Sequence, residues 1–500
     1  MSEIANFAAV DVGASGGRVM LGRWDGARWH LDELHRFVNR PVSLAGHLHW
    51  DALSLWAEIK AGLARYVADF DRPLDGIAVD TWGVDFGLLD ADGHLIGNPY
   101  HYRDNRTDGM VERACQLVPS HRIFQETGVQ IMPINALYQL FSMTQTNDPQ
   151  LDIAHTVLMI PDLFHYWLSG RKATECTIAS TSQMLDSHGL SWATGLLADL
   201  GVPTHILPPV LAPGTVLGEV QPTVMAEVGL RQSVPVVAPG SHDTASAVAA
   251  IPDLDSASVY ISSGTWSLVG VEIEEPLLDD RVLSLNFGNE RGVAGTIRLL
   301  RNVTGMWLLQ ESRRQWTREG HTCSWEQLET LAEQADAFRS LIDPDAASFR
   351  NPGDMPSAIR AYCWSTGQPE PATIGEVVRC CLESIALRYR QVLDALESVT
   401  PQRLEVIRIV GGGSQNRLLC QLTADVCQRP VVAGPVEATA LGNLTLQAIA
   451  TGHVADILAG RQAVAASVER HWYEPGPEAD SEGAFDRFRV LRQCHAEGVC

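Results

Sequence analysis

The chain reads as an α/β protein of two domains, each built on its own central sheet, and three observations predict it. Its 500 residues exceed what one hydrophobic core serves. Short apolar runs bounded by Gly and Pro alternate with longer segments of helical period. The strand, small-residue turn, strand pattern of the opening segment also returns in type near the middle, as ASVYISSGTWSLVGVEI.

The opening segment reads as a meander. FAAVDV (7–12) is a strand, GASGG (13–17) a turn, and 18–24 a second strand; Asp25-Gly26 turns into a third at 28–36. Leu53, Trp56, Ile59, Leu63, Tyr66 and Val67 recur at helical spacing and predict a helix over about 50–70. GIAVDTWG and VDFGLLD read as buried strands, and residues 110–170 as mostly helical. Pro203, Pro208, Pro209 and Pro213 mark a loop-rich stretch before the strand VPVVAPG. After the repeated hairpin, helices dominate 304–340 and 373–399, the latter opened by the capping-box spacing Thr373-x-x-Glu376. IRIVGGGSQNRLLCQL reads as strand, glycine turn and helix. The strand PVVAG follows, then a helix from Pro435-Val436-Glu437 to about 451. The polar tail after 475 is expected to be loosely held. The domains meet near 245–255, with the division placed at 1–247 and 248–500.

Composition narrows the partners. A formal charge of −23 repels nucleic acid and anionic lipid, so neither is expected as a partner. No apolar run is long enough to span a bilayer, and Asp11 interrupts the start before any signal-like apolar stretch, so a cytoplasmic protein is expected. Ten cysteines show no CxxC pair, and Cys380, Cys381, Cys420 and Cys427 fall in apolar helical patterns. They read as core thiols rather than as a disulfide framework or zinc site.

Three small-residue loops carry the chemistry. In DVGASGGRV the backbone N–H groups come with little side-chain bulk, so the turn can wrap phosphate oxygens. Arg18 adds a fixed positive charge at its end. Asp11, an acid beside an anion site, makes sense if Mg²⁺ lies between them. Gly13-x-Ser15-x-Gly17 also satisfies the serine-hydrolase elbow, an alternative that requires a strand-to-helix turn where RVMLGRW reads as strand. SSGTWS (262–267) is the second loop and VGGG (410–413) the third, the latter flat enough for adenine or ribose. No GxxxxGK[ST] occurs, which removes the P-loop class.

SHDTASAV places Asp243 between the VPVVAPG strand and a small-residue helix. Two phosphate-type hairpins, one per half, with a glycine turn behind, describe a nucleotide clamped between two related domains. A carboxylate at their junction can take the proton of an attacking hydroxyl. The alternative is that Asp243 caps a helix starting at Thr244.

AVDVGASGGRVML, VDTWGVDFGLLD, SHDTASAV, ISSGTWSLVG, RNVTGMWLLQ, IVGGGSQN and GPVEATALGN together resemble the FGGY carbohydrate kinases, in the right order from residue 9 to about 443. The resemblance implies a two-lobed actin-like, ribonuclease-H-like fold, with a mixed central sheet in each lobe and an ATP cleft between them that closes to exclude water. It implies MgATP-dependent phosphorylation of L-rhamnulose at O1, in L-rhamnose catabolism, by a monomer or small homo-oligomer. Another ketose or polyol kinase of xylulokinase type, or a non-catalytic sugar sensor, is the alternative. Carried over by motif, Asp243 is the proton acceptor, with His242 and Thr244 beside it at the sugar. Gly83 lines the sugar pocket through its backbone and Asn302 bonds sugar hydroxyls. Ala14, Ser15, Gly16, Gly17, Arg18, Thr265, Gln310 and Gly412 form the ATP side. Trp82 and Phe86 are candidates to pack a deoxysugar methyl. Asn302 could instead cap a helix beginning near Thr304. The family's first loop usually reads ASSGR; Gly16 here replaces its second Ser, which implies a more mobile loop and weaker ATP binding.

Overall fold

A computed structural model describes residues 4–476 and 481–496. Contacts group the chain into two compact units. The first holds Met1–Asp253, Glu272–Leu300 and Ala438–Val468, and the second Leu254–Val271, Arg301–Glu437 and Glu469–Cys500. A division at 247/248 follows chain order; grouping by contact adds two later stretches to the first unit, because the helix Ala438–Ala450 packs along the helix Asp243–Ala249 and the strand Ala5–Val12.

The first unit is built on a six-stranded sheet in the order Thr215–Glu219, Pro235–Ala238, Gly76–Thr81, Ala5–Val12, Gly16–Trp24, Trp29–Val38. Ala5–Val12 and Gly16–Trp24 form the expected antiparallel hairpin, while Gly76–Thr81 runs parallel to Ala5–Val12 on its other side. Both inner strands are buried on both faces, which is why they read as nearly continuous apolar runs. The helix Ala52–Asp69 is capped by Asp51, whose side chain accepts from the Ser54 N–H. Leu55, Ile59, Leu63 and Tyr66 form its buried face, whereas Leu53, expected inward, is 61% exposed. Leu55 lies on the true stripe. The 110–170 region holds five helices, and the strand Thr156–Met159 among them pairs antiparallel with Phe86–Leu89.

The second unit repeats the same core. Ser258–Ser263 and Trp266–Ile273 form an antiparallel hairpin, and Val406–Val410 runs parallel to the first of them. Val431–Ala433 extends the sheet in parallel and His471–Tyr473 closes it antiparallel. The helix Ile374–Val399 has both bonds of its capping box, between Thr373 and Glu376. The tail departs from expectation. Ser481–Ala496 is a helix, with Phe485 and Phe488 buried, Glu482 2.7 Å from Arg390, and Arg492 3.4 Å from Asp343. Its polar residues cover a narrow apolar stripe that composition alone averages away.

Among the described residues no helix is long and apolar enough to cross a membrane. Eight cysteines among them are free, and Cys380, Cys381, Cys420 and Cys427 are buried thiols, as their helical pattern predicts.

Candidate functional site

In the first unit, Asp11, Asp80 and Asp243 share one electrostatic neighbourhood, and strand register sets the first two side by side. Asp11 is the cross-strand partner of Arg18 in the hairpin and of Asp80 on the parallel side. Arg18 Nη2 donates to Asp11 Oδ2 at 2.9 Å, so the positive charge expected to face a ligand is already shared with the acid. Asp80 is fully buried; its Oδ2 accepts from Asn443 Nδ2 at 2.6 Å, and its Oδ1 has no hydrogen-bond partner. Burial, reinforced by the charges of Asp11 and Asp243, pushes the Asp80 carboxyl well above the usual carboxylate range against the pull of Asn443.

The turn between the two strands is a tight hairpin. The Gly13 N–H closes it onto the Gly16 carbonyl at 2.9 Å, and Asn39 Nδ2 holds the Gly13 carbonyl at 3.0 Å. Ser15 thus sits between antiparallel strands, not on the strand-to-helix elbow a serine nucleophile needs. Gly16 already belongs to the second strand, and a Cβ there would lie 3.0 Å from the Phe37 carbonyl oxygen. The departure from Ser at this position therefore matches a close backbone approach.

The loop Gly240–His242 delivers Asp243. Ser241 N donates to buried Glu175 Oε2 at 2.9 Å, His242 N to Thr177 Oγ1 at 3.2 Å, and Thr81 N to the Ser241 carbonyl at 3.0 Å. The helix starts at Asp243 itself, one residue earlier than the capping alternative requires. His242 occupies the cap position without a side-chain cap bond. Asp243 is 29% exposed at its side chain, the least hidden of its cluster. Thr244 Oγ1 donates to Asp243 Oδ1 at 3.1 Å, and His242 Nε2 lies 3.5 Å from the same oxygen. Burial raises the Asp243 carboxyl, His242 and the Thr244 hydroxyl pull it down, and the Asp11 charge adds to the rise. Behind His242, Nδ1 is 3.1 Å from Glu290 Oε2 and 3.0 Å from Arg298 Nη2.

Gly83 follows the Gly76–Thr81 strand, and a Cβ there would meet the Thr181 side chain at 3.1 Å. Next to it, Trp82 and Trp50 both donate through Nε1 to Asp85 Oδ2, at 2.9 and 2.6 Å, with ring centroids 4.2 Å apart. Burial lifts Asp85 to about 6, against the bonds from Gln139 and the two indoles. Phe86 packs in the apolar core with Ala136, Leu137 and Leu140. It is 5% exposed, as is Trp82.

The remaining expected residues belong to the second unit. Thr265 sits in the repeated hairpin turn, its Oγ1 3.1 Å from Gln310 Oε1, and its carbonyl accepts from Gly305 and Trp307 at 3.2 Å. Hairpin and helix Trp307–Arg318 are thereby joined. Asn302 lies in the strand Ile297–Thr304, and the helix that follows starts only at Trp307, so the capping alternative falls away. In the glycine turn, Gly411 and Gly413 back onto Ser263, while Gly412 is exposed and a Cβ there would meet nothing within 4 Å.

A divalent cation fits the donors present in the first unit. Among the described residues no group of three or more His, Cys, Asp or Glu is arranged to hold a metal. Mg²⁺ commonly takes one or two carboxylates together with waters and phosphate oxygens. Asp11, with the bondless Asp80 Oδ1 beside it, offers that set. Asp80, Asn443, Glu175, Glu290 and Arg298 are polar groups that sequence reasoning missed. Asp80 stands inside the VDTWGVDF segment. Glu290 and Arg298 stand in FGNER and IRLLR, short segments in which charges are mixed with apolar residues.

The comparisons with known proteins agree along the chain. The N-terminal domain of the FGGY family of carbohydrate kinases matches residues 7–250, and its C-terminal domain residues 259–451. A rhamnulokinase of Bacteroides thetaiotaomicron is 43% identical over 484 residues, 97% of this chain and 99% of the relative. Rhamnulokinases of Pectobacterium atrosepticum and Enterococcus faecalis are 43% and 38% identical, covering 98% and 95% of this chain and 97% and 95% of their own. Among solved structures, xylulose kinase from Lactobacillus acidophilus superposes with a TM-score of 0.81 at 17% identity, covering 98% of each chain. The ADP complex of glycerol kinase from Plasmodium falciparum gives 0.77 at 14% identity, covering 99% of this chain and 98% of its own. These two likenesses establish the fold.

Proposed function

This chain belongs to the FGGY family of carbohydrate kinases, and on that footing we propose that it transfers the γ-phosphoryl group of ATP to the C1 hydroxyl of L-rhamnulose. The products are L-rhamnulose 1-phosphate and ADP, formed in the cytoplasm in L-rhamnose catabolism. The observation that carries the substrate is the similarity to rhamnulokinases over nearly the whole length of both chains.

The chemistry follows from the residues. The C1 oxygen attacks the γ-phosphorus, the bond from that phosphorus to the bridging oxygen breaks, and the hydroxyl proton passes to Asp243. Asp243 suits the role because it is the partly exposed carboxylate of its cluster, fixed on the first turn of a helix anchored from behind. His242, Thr244, Gly83 and Asn302 are assigned to the sugar. The Ala14–Arg18 hairpin, Thr265, Gln310 and Gly412 are assigned to ATP. Asp11 would hold Mg²⁺ with Asp80 beside it, and the ion would neutralise phosphate charge. Positioning and charge neutralisation supply most of the acceleration.

The test is ADP release measured over a panel of L-rhamnulose, L-fuculose, L-ribulose, D-xylulose and glycerol. The expected result is a kcat/KM for L-rhamnulose at least about tenfold above the others. A preference for D-xylulose or another member of the panel overturns the substrate. No ADP with any sugar overturns catalysis and favours a sensor.

A further inference from the structure

The buried pair behind His242 has no role in the phosphoryl-transfer scheme above, yet its geometry is specific. Glu290 lies on the strand Gly288–Arg291 and Arg298 on the neighbouring Ile297–Thr304, paired antiparallel with Glu290 directly opposite Arg298. The Arg298 side chain is 0% exposed, Glu290 5% and His242 7%. Arg298 Nη2 donates to Glu290 Oε2 at 3.0 Å, and Arg298 Nε donates to the Arg291 carbonyl at 3.1 Å. Burying an ion pair in an apolar sheet is costly, and well-packed apolar residues serve stability as well or better. Its presence calls for a different reason.

We propose that Glu290 and Arg298 are positioning residues that hold His242 with a hydrogen on Nε2, aimed at Asp243 Oδ1. The donor inventory favours it. A guanidinium only donates and a carboxylate only accepts. If His242 Nδ1 accepts from Arg298 Nη2 at 3.0 Å, the single ring hydrogen of a neutral imidazole sits on Nε2. If Nδ1–H donates to Glu290 Oε2 at 3.1 Å in a charged ring, Nε2 also carries a hydrogen. The remaining tautomer, neutral with its hydrogen on Nδ1, keeps the bond to Glu290 Oε2 but gives up the one from Arg298 and turns an Nε2 lone pair on the Asp243 oxygen, which is repulsive. Either accepted state thus presents an N–H to Asp243 Oδ1 across 3.5 Å. Both ring nitrogens of His242 thereby face protein partners, and it orients the base in addition to its proposed place at the sugar. The rotamer of Asp243 is set by this N–H and by the Thr244 hydroxyl acting on the same Oδ1, which leaves Oδ2 for the substrate proton.

This inference rests on Asp243 being the base, so the experiment separates the two. Asp243→Asn tests the base: near-normal turnover removes that reading and this one with it. Glu290→Gln keeps the shape and a bond to Arg298 but loses the charge. It should lower kcat by about ten- to a hundredfold with KM for sugar and for ATP within about twofold. In the Asp243→Asn background the same change should leave the residual rate within about twofold, since its path runs through Asp243. An unchanged kcat, a raised sugar KM with kcat intact, or full additivity in the double variant would each overturn the proposal while Asp243 remains the base. Nitrogen-15 NMR of histidine-labelled wild-type protein reads the same claim without any variant: a protonated Nε2 at His242 supports it, and an unprotonated one sinks it.

Discussion

Gly442 lies so close to the helix of Asp243 that a Cβ added there would stand 1.8 Å from the Ser246 carbonyl oxygen. The helices Asp243–Ala249 and Ala438–Ala450 therefore pack backbone to backbone, and one residue on from Gly442, Asn443 reaches Asp80. Glycine is what lets the first-unit helix bring its amide side chain to that carboxylate.

Replacing Gly442 with Ala should push the two helices apart. Overpacking of this kind costs about 1–3 kcal/mol or more, so a lower thermal unfolding midpoint is expected, together with a fall in kcat as Asp243 moves. Retained midpoint and activity would show that the contact relaxes freely.

Asp243→Asn removes the proposed proton acceptor and should preserve the fold of its helix. Turnover should drop by about 10²–10⁴-fold with ATP still bound, as read by ADP release and by nucleotide titration.

Gly412 and Gly413 make opposite predictions within one turn. A Cβ at Gly413 would lie 2.0 Å from Ser263 Oγ, whereas one at Gly412 meets nothing within 4 Å. Gly413→Ala should lower the unfolding midpoint. Gly412→Ala should fold normally and raise the KM for ATP, because only a nucleotide lying on the turn would meet the new methyl. An unchanged KM would take Gly412 out of the nucleotide site.

Asp80 holds its proton more tightly in the folded chain than in the unfolded one, because burial and the Asp11 charge raise it well above the usual carboxylate range. Where the native state carries the extra proton, stability falls as pH rises from the unfolded value toward the folded one. Asp80→Asn removes that slope. In chelator its unfolding midpoint should exceed the wild type at about pH 8, and the gap should narrow toward about pH 4. Added Mg²⁺ should then stabilise the wild type more than the variant. Equal gains in both would separate Asp80 from any cation.

Much of the molecule was legible as letters. Alternation and apolar runs disclosed both hairpins, the parallel strands beside them and the long capped helix at 374–399, because strand and helix periods are local properties. The small-residue loops announced themselves by composition, and Asp243 stood out as a lone carboxylate at a strand-to-helix junction. Leu53 misled because a residue list shows that a stripe is apolar but not which side of it faces inward.

Chain order alone thus carried the fold class, the order of elements and the family's motifs. Folding in three dimensions settled which distant groups meet. Asp80 faces Asn443 across 363 positions of sequence, Arg298 stands behind His242, and the stretch Ala438–Val468 joins the first unit. The reason is physical: a hydrogen bond or a close backbone crossing depends on register and packing between elements, and neither leaves a period in the sequence of either partner.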